Sequence, residues 1–395
     1  MPISGRAMAA ERVRILYDGT PDTGALKGRL QRGECPLIEI EKDGKIVAAS
    51  YAAIGGSGRL RDQMKLISAR AEALLRRAAD GIAAPMPPRP ARAPARFSPL
   101  LEARRSARRL AGRMLAPFRR AGVRRHWNIA LRIDAGQPEL ANFDLTAYAP
   151  LPVDPSTFYA DPFVAERDGR CYLFAEACPY ATGKGVIVVA EVAPGGEPGP
   201  WRTVLERPWH LSYPYVFAHG GETWLMPESS ARGRLELYRA VEFPDKWELA
   251  HSLFEGVPIV DATLFEHEGR LWLLAGVATP GGSDWDELFA WHAPSLAGPW
   301  TAHALNPIKS DCRSARPGGR PLNLGGRLIR PAQSCEKFYG EALVWLEVRT
   351  LTPDAFEEAE IAEWRAAGPG RSGPHAADLA ARCRAIDYRL ELPAA

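Results

Sequence analysis

A repeat of about 50 residues is the sequence feature that most constrains the fold. Four segments share one pattern, in which a short apolar strand is followed by a glycine turn and a second apolar strand; they begin at Asp161, Tyr213, Asp261 and Gly318. The turn glycines are spaced 52, 48 and 57 residues apart and are Gly169, Gly221, Gly269 and Gly326. Strands that recur at this period predict the blades of a β-propeller.

Further β-rich runs complete each repeat to about four antiparallel strands. They are GVIVVAEV (185–192), RLELYRAV (234–241), ELFAWHA (287–293) and EALVWLEV (341–348). A fifth unit can be built from the C-terminal ARCRAIDYRLEL, closed by an upstream strand in HWNIALRI, which removes the open sheet edges. The contents of 36 Gly, 35 Pro, 11 Trp and 11 Tyr also favour a mainly β protein. We therefore predict a five-bladed β-propeller over residues 126–395.

Two further regions precede the predicted propeller. Residues 1–84 are predicted to form a small α+β module of unknown role, with a hairpin turning at Asp43-Gly44 and a helix that ends before Gly81. The glycine-rich IGGSGRL lacks a Walker Lys-Ser/Thr pair and is interpreted as a plain loop. Residues 85–125 are predicted to be a Pro/Arg-rich linker followed by a basic amphipathic helix.

The basic charge of the chain is local. The formal net charge is only +3, but residues 89–125 hold twelve Arg and one acid, Glu102. Apolar residues are interspersed among the arginines: Leu100, Leu101, Leu110, Met114, Leu115 and Phe118. This pattern is typical of a helix on an anionic membrane surface. A solvated linker helix that docks by its apolar face is the favoured interpretation, membrane contact is the second, and nucleic acid is the least favoured partner.

Several classes of protein are not indicated. The sequence shows neither a long uncharged apolar run nor the apolar core of a secretory signal, so we expect a cytoplasmic protein, peripheral at the inner face of the membrane if the basic helix binds lipid. The six Cys form no CxxC pair, which predicts reduced thiols. No cofactor and no metal site are predicted, since no DxDxDG loop is present; a divalent ion in the channel is the alternative.

The repeat predicts where polar side chains meet. Counting outward from each turn pairs Asp161 with Glu176, Tyr213 with Glu228, Asp261 with Gly276, and Gly318 with Gln333 across neighbouring strands. If the first strand of each blade lines the axis, the strand ends converge on one mouth of the channel. The acidic residues Asp161, Glu176, Glu228 and Asp261 are therefore expected to share a pocket.

The segments at these positions resemble a known family. FYADPFV, HLSYPYVF, MPES, VDATLF, WDEL, ARPGGR and RPAQ resemble the propeller domain of the glucosamine inositolphosphorylceramide transferase N-terminal family, over about residues 125–392. The chain is also similar to five-bladed arabinanase, xylosidase and fructosidase-type glycoside hydrolases. Those hydrolases use a base Asp, a modulating Asp and an acid Glu in that chain order, whereas the order here is Asp161, Glu228, Asp261.

The resemblance implies chemistry on glycosidic bonds, either transfer or hydrolysis, in surface polysaccharide or glycolipid biosynthesis. Asp161 is then the candidate base or nucleophile, Glu228 the acid and Asp261 the modulator. Substrate contacts are expected from Glu176, His210, Tyr213, Trp285, Asp286, Arg316, Arg320, Arg330 and Gln333. His375 is a further residue that could approach the rim. The partner would be a carbohydrate, nucleotide-sugar or glycolipid.

Two functions without catalysis are alternative hypotheses. The first is a propeller that binds a glycan or lipid head group, and the second is a protein-interaction scaffold. The acidic residues could also cap strand starts through side-chain hydrogen bonds.

Overall fold

The computed structural model describes residues 13–55, 58–82, 86–87, 95–115, 123–134, 136–278, 283–366, 368 and 370–393. Parts of the predicted linker and basic segment, residues 83–85, 88–94 and 116–122, lie outside this set, as do residues 56–57 of the glycine-rich loop. The described chain is mainly β. Its helices are few, and none of them within the described ranges is both long and apolar enough to cross a membrane.

The amino-terminal part contains a small antiparallel sheet with helices. Its strands pair in the order β1-β2-β3. The elements are β1 (Val13–Tyr17), α1 (Thr23–Gln31), β2 (Leu37–Lys42), β3 (Lys45–Tyr51) and α2 (Leu60–Ala79). Asp22 caps α1 by accepting the Gly24 N–H at 2.7 Å. Ile67, Ala71 and Leu74 of α2 pack on the sheet with Leu37 and Ile38, so the helix buries its apolar stripe against β2 and β3.

A third helix, α3 (Pro99–Leu115), follows, and its charged side chains contact α1 and the loop before α2. Arg105 donates to the Gln31 carbonyl at 2.6 Å, and Arg109 donates to the Gly58 carbonyl at 2.8 Å and to Glu102 at 2.8 Å. Leu100, Leu101 and Leu110 are 63%, 45% and 61% exposed. The interpretation in which the helix docks by its apolar face is therefore wrong for these three leucines.

Five antiparallel sheets follow, which we label I to V. Sheet V begins with β4 (Val123–Ile133) and β5 (Ala149–Pro150). Sheet I consists of β6 (Thr157–Arg167), β7 (Arg170–Pro179), β8 (Val186–Val192) and β9 (Arg202–Leu205). Sheet II consists of β10 (Ser212–His219), β11 (Glu222–Glu228), β12 (Leu235–Glu242) and β13 (Lys246–Leu253).

The remaining strands continue the same order along the chain. Sheet III consists of β14 (Ile259–His267), β15 (Arg270–Val277), β16 (Glu287–Ala293), β17 (Thr301–Ala302) and β18 (Lys309–Ser310). Sheet IV consists of β19 (Leu322–Leu324), β20 (Arg327–Ser334), β21 (Ala342–Leu351) and β22 (Phe356–Trp364). The last two strands, β23 (Ala377–Asp378) and β24 (Cys383–Pro393), return to sheet V. There β24 pairs with β4 from Cys383↔Ile133 to Pro393↔Val123.

Four of the hairpins have the same kind of two-residue turn, with positive φ at both positions. Gly169, Gly221, Gly269 and Gly326 have φ of 73°, 79°, 71° and 80°, and each follows a residue that also has positive φ. Two-residue turns of this kind match the right-handed twist of the flanking strands, and glycine adopts the second position without strain. The glycine spacing therefore located the hairpins correctly.

The sheets pack on one another in cyclic order. One apolar cluster joins sheets I, II and III through Phe163, Leu225 and Leu264. Trp272 of sheet III meets Val348 of sheet IV, and further clusters join sheet IV to sheet V and sheet V back to sheet I. This arrangement is propeller-like and leaves the first strands of successive sheets near one another.

Candidate functional site

The first strands of sheets I, II and III each carry a β-bulge at the same position. The register shifts after Ala160, Ser212 and Val260, so the observed partners are Ala160↔Glu176, Ser212↔Glu228 and Val260↔Gly276. The residues that follow are Asp161, Tyr213 and Asp261, with φ of 52°, 44° and 49°. The predicted pairs were therefore wrong by one residue, because each strand contains an extra residue that the count from the turn does not reveal.

Each bulge directs a backbone N–H at a carboxylate of the preceding sheet. Asp161 N–H donates to Asp387 of sheet V at 3.0 Å, and Tyr213 N–H donates to Asp161 of sheet I at 3.2 Å. Asp261 N–H donates to Glu228 of sheet II at 3.1 Å. The same kind of hydrogen bond is thus repeated from sheet to sheet, and it brings acidic residues from four sheets to one region.

Asp161 lies beside a histidine that is enclosed by two carboxylates. His375 Nε2 is 3.2 Å from Asp161 Oδ1, and His375 Nδ1 is 2.8 Å from Asp387 Oδ2. Asp387 also accepts the backbone N–H groups of His375 and Ala376. Burial alone would lower the pKa of His375, but Asp387 and Asp161 outweigh it and raise the pKa to about 10. His375 is therefore a cation at neutral pH.

Asp261 is held by an arginine and an amide. Arg316 Nε donates to Asp261 Oδ2 at 2.6 Å, and Gln333 Nε2 donates to the same oxygen at 2.7 Å. Arg316 also donates to Asp284 at 2.7 Å and lies 3.7 Å from Glu228. Burial raises the pKa of Asp261, and Arg316 opposes the rise. One guanidinium thus serves three carboxylates.

Glu176 has a different partner, the half-exposed His210. His210 Nε2 lies 3.1 Å from Glu176 Oε1, and the two side chains are 43% and 7% exposed. The Gly185 N–H donates to His210 Nδ1 at 2.9 Å, which places the ring proton of the neutral imidazole on Nε2. Burial raises the pKa of Glu176 to about 7. The contact with Glu176 raises the pKa of His210, but a second ring proton would displace the Gly185 amide.

Tyr339 connects the two halves of the site and was not identified from the sequence. Its ring centroid is 5.3 Å from that of His375 and 5.6 Å from that of Trp285. The Arg316 guanidinium lies 5.2 Å from the same ring. Burial raises the pKa of the Tyr339 phenol, and both Asp261 and Asp161 contribute. Asp161 and Glu228 likewise act on the pKa of Glu176 and on that of Asp261, so these two acids lie within electrostatic reach of both others.

Some of the other residues expected at the site lie near the acidic side chains, and the rest make contacts elsewhere. Tyr213 hydroxyl bonds to Thr263 at 2.9 Å and accepts the Gly319 N–H at 2.8 Å. Trp285 reaches the site through Tyr339. The guanidinium or carboxylate groups of three others make ion pairs elsewhere: Asp286 with Arg70, Arg320 with Asp378, and Arg330 with Glu358.

These three ion pairs differ in what they join. Arg320 donates to the Val216 carbonyl at 2.6 Å as well as to Asp378, and so ties sheets II and V together beneath the site. Arg330 donates to Glu358 and to the Ser314 carbonyl within its own part of the chain. The structure thus brings Arg316 but neither Arg320 nor Arg330 to the acidic residues.

Two clusters in the described residues resemble metal-binding sets: Glu176, Cys178 and His210, and Asp161, His375 and Asp387. In the first, the Gly185 amide leaves the proton on His210 Nε2, the nitrogen that faces Glu176. In the second, both ring nitrogens of His375 face carboxylates. A ring nitrogen that carries a proton does not bind a metal, so a metal at either set would require its histidine to lose a proton or change its tautomer.

Comparison with known proteins gives one matching family. The family described as glucosamine inositolphosphorylceramide transferase 1, N-terminal, matches residues 134–372. The chain is 37% identical over 211 residues to glucosamine inositolphosphorylceramide transferase 1 of Arabidopsis thaliana, and 36% identical over 211 residues to that of Oryza sativa subsp. japonica. The alignments cover 52% of this chain and 28% of each relative, so the chain corresponds to a minor part of their length.

Solved structures to which this chain is similar include glycoside hydrolases. An exo-β-1,3-galactanase from Phanerochaete chrysosporium has a TM-score of 0.40 and 16% identity, with 52% of each chain covered. A family 117 glycoside hydrolase from Zobellia galactanivorans has a TM-score of 0.43 and 13% identity, covering 68% of this chain and 90% of that chain.

Proposed function

Because this chain belongs to the glucosamine inositolphosphorylceramide transferase 1 N-terminal family, we propose that it is a carbohydrate-active protein whose acidic site works on glycosidic bonds. The relatives are named glucosamine inositolphosphorylceramide transferase 1. We extend that substrate class to this chain: a sugar, nucleotide-sugar or glycolipid used in glycolipid or surface polysaccharide biosynthesis.

The observation that carries the proposal is the uneven distribution of positive charge among the acidic side chains. Asp161 has cationic His375, and Asp261 and Glu228 share Arg316. Glu176 has the imidazole of His210, whose neutral tautomer is fixed by Gly185. Among the described contacts, Glu176 thus has a neutral imidazole where the other three carboxyl groups have a cationic partner.

Glycosidic bond chemistry requires this division of roles. One carboxyl group protonates the leaving oxygen, while a second carboxylate acts as base or nucleophile. A pKa of about 7 lets Glu176 hold a proton near neutral pH and release it. We assign proton donation to Glu176, in place of the sequence-based choice of Glu228, and keep Asp161 as base or nucleophile and Asp261 as the residue that modulates them.

We also infer that sheets I to V are the five blades of a propeller over residues 126–395, preceded by a module (1–84) and a linker with a basic helix (85–125). Cyclic packing of the sheets and the β4–β24 pairing support this division. Closure of the ring by the two ends of a propeller is a common solution to the open-edge problem.

A peripheral position on the cytoplasmic face of a membrane remains part of the proposal. The helix α3 presents Leu100, Leu101 and Leu110 to solvent, while its Arg105 and Arg109 contact the chain. The outward surface also carries the exposed Arg104 and Arg108. Leucines flanked by arginines suit the interface of an anionic bilayer.

Glycan or head-group binding without turnover is the second candidate, and one observation favours it. Asp161 and Glu228 accept the N–H groups of neighbouring bulges, which gives each of them a role in holding the sheets together. Carboxylates fixed in this way can also accept hydrogen bonds from sugar hydroxyls.

Glu176→Gln separates the two candidates. The wild type and the variant are assayed for turnover of a panel of nucleotide-sugars and oligosaccharides, and for binding of the same compounds by calorimetry. Glu266→Gln is the matched control, since Glu266 pairs with His219 at 2.9 Å on the surface. We expect Glu176→Gln to lower kcat by at least ~100-fold with affinity within a few-fold, because the amide keeps its size but cannot donate the proton.

The control is expected to match the wild type. A wild-type protein that binds a glycan without turnover, together with a Glu176→Gln variant that binds it equally well, would favour the binding function. Loss of turnover in both variants would contradict the assignment of Glu176.

A further inference from the structure

The amino-terminal sheet and helices, residues 13–79, take no part in the chemistry proposed above. We propose that they position the site: Arg70 of α2 fixes the position of Asp286, and the segment 284–286 in turn fixes the positions of Arg316 and Tyr339. The expected effect on activity rests on the proposed function. The contacts themselves involve a part of the chain to which no role has been assigned.

The anchor is a buried ion pair between α2 and the start of β16. Arg70 Nη2 donates to Asp286 Oδ1 at 2.5 Å, and Arg70 Nη1 contacts Glu287. The Ala53 N–H donates to the other oxygen of Asp286 at 3.1 Å. Arg70 and Asp286 are each 2% exposed. A buried carboxylate with a guanidinium and an amide donor has one position available to it.

The two residues before Asp286 point toward the acidic site. Asp284 accepts a bond from Arg316 Nη1 at 2.7 Å, and Arg316 in turn holds Asp261. Trp285 lies 5.6 Å from Tyr339, ring centroid to ring centroid. Three consecutive residues thus connect the amino-terminal part on one side to the arginine and the tyrosine of the site on the other.

Other contacts hold the two parts together independently of Arg70. Arg77 of α2 donates to the Leu305 carbonyl at 2.7 Å, and Ser50 bonds to Ser310 through their hydroxyls at 2.7 Å. Cys312 N–H donates to the Tyr51 carbonyl at 2.9 Å. Removal of Arg70 therefore leaves the interface in place, and its effect can be separated from loss of the interface.

Hydrogen exchange of the full-length protein measures this coupling without an assay for activity. Arg70→Met is compared with Arg77→Met, which removes an interface arginine that donates to the Leu305 carbonyl. Peptides covering 283–289 and 330–335 are followed, because the Gln333 N–H donates to the Arg316 carbonyl at 2.8 Å and reports on that residue. A peptide within β12 serves as the distant reference.

We expect Arg70→Met to accelerate exchange ~10-fold or more in both site peptides and to leave β12 unchanged. Arg77→Met should leave the site peptides at the wild-type rate. Arg70→Lys keeps the charge and should restore part of the protection. If Arg70→Met is too unstable to purify, Asp286→Asn tests the same link, since its amide oxygen can still accept the Ala53 N–H.

Calorimetry with glucosamine as the probe then distinguishes this inference from the proposed function. Weaker binding by ~10-fold in Arg70→Met, with accelerated exchange, supports both. Accelerated exchange in a protein that shows neither glucosamine binding nor turnover supports the positioning role and contradicts the proposed function. Unchanged exchange at 283–289 and 330–335 in Arg70→Met overturns the positioning role, whatever the activity.

Discussion

Replacing His375 by Gln removes a positive charge from between two buried carboxylates. The imidazole lies 3.2 Å from Asp161 and 2.8 Å from Asp387. Its pKa is about 10 in the folded protein, against about 6.5 for an unperturbed histidine. The free energy of unfolding should therefore depend on pH in the wild type and lose that dependence in the variant.

The direction follows from the raised pKa. Stabilisation by protonated His375 is fully present below about pH 6.5 and is lost as the pH rises through about 10. Proton linkage between these two pKa values gives a contribution of about 5 kcal/mol at pH 6 and about 1 kcal/mol at pH 9.5. This is of the size expected when one partner of a buried ion pair is removed, about 3–5 kcal/mol.

Urea unfolding followed by tryptophan fluorescence at pH 6, 7.5 and 9.5 measures the difference. We expect His375→Gln to be destabilised most at pH 6 and to approach the wild type at pH 9.5. His219→Gln is the control, because His219 makes a comparable contact with Glu266 on the surface. A difference between His375→Gln and the wild type that stays constant from pH 6 to 9.5 would refute the assignment of a buried imidazolium.

Two further predictions concern other parts of the chain. The double variant Leu100→Ser/Leu110→Ser should bind anionic vesicles at least ~10-fold more weakly than the wild type at low salt, whereas Leu249→Ser, an exposed leucine of β13, should not; equal co-sedimentation with anionic and neutral vesicles would contradict the membrane proposal. Gly319→Ala should cost ~3 kcal/mol or more by thermal unfolding, since φ is 135° and a Cβ would lie 1.9 Å from the Ala377 carbonyl oxygen. Gly326→Ala, where φ is 80° and a Cβ meets nothing within 4 Å, should cost only ~1 kcal/mol.

The hairpins were predictable because their signal is local. A turn such as Asp168-Gly169 requires positive φ at two adjacent residues, and glycine at the second position marks it in the sequence. The bulges could not be located in the same way. Asp161 and Asp261 are of a type that tolerates the left-handed region, but Tyr213 occupies it as well, so residue type does not mark the three bulges. Counting residues from the turn therefore gave the correct pair of strands and the wrong register.

Asp387 was missed for a related reason, whereas His375 had been named as a residue that could approach the rim. His375 and Asp387 meet Asp161 only because the last strand closes the ring beside the first sheet, so their contact spans more than 200 residues of sequence. One local signal was available: Asp387 is a charged residue within the apolar run of β24 and is fully buried. A buried charge in a central strand requires a partner. Tyr339 carried no such signal.

The repeated bulge explains why acidic residues collect at this site. The extra residue of a β-bulge has no partner on the neighbouring strand, so its N–H needs another acceptor. Here that acceptor comes from the preceding sheet. Asp387, Asp161 and Glu228 supply that acceptor in turn for the bulges of sheets I, II and III. These three carboxylates therefore help to hold the backbone of neighbouring sheets, whether or not they take part in a reaction.

Glu176 differs from the other acids in this respect. Among the described contacts its carboxylate meets His210 and accepts no bulge amide, although it is as buried as Asp161. Burial of a carboxyl group costs free energy unless it is compensated, and here the cost is expressed in a pKa of about 7. Glu176 has no such structural role among the described contacts. We therefore base the proposal of catalysis on Glu176 more than on the acidic residues that the repeat identified.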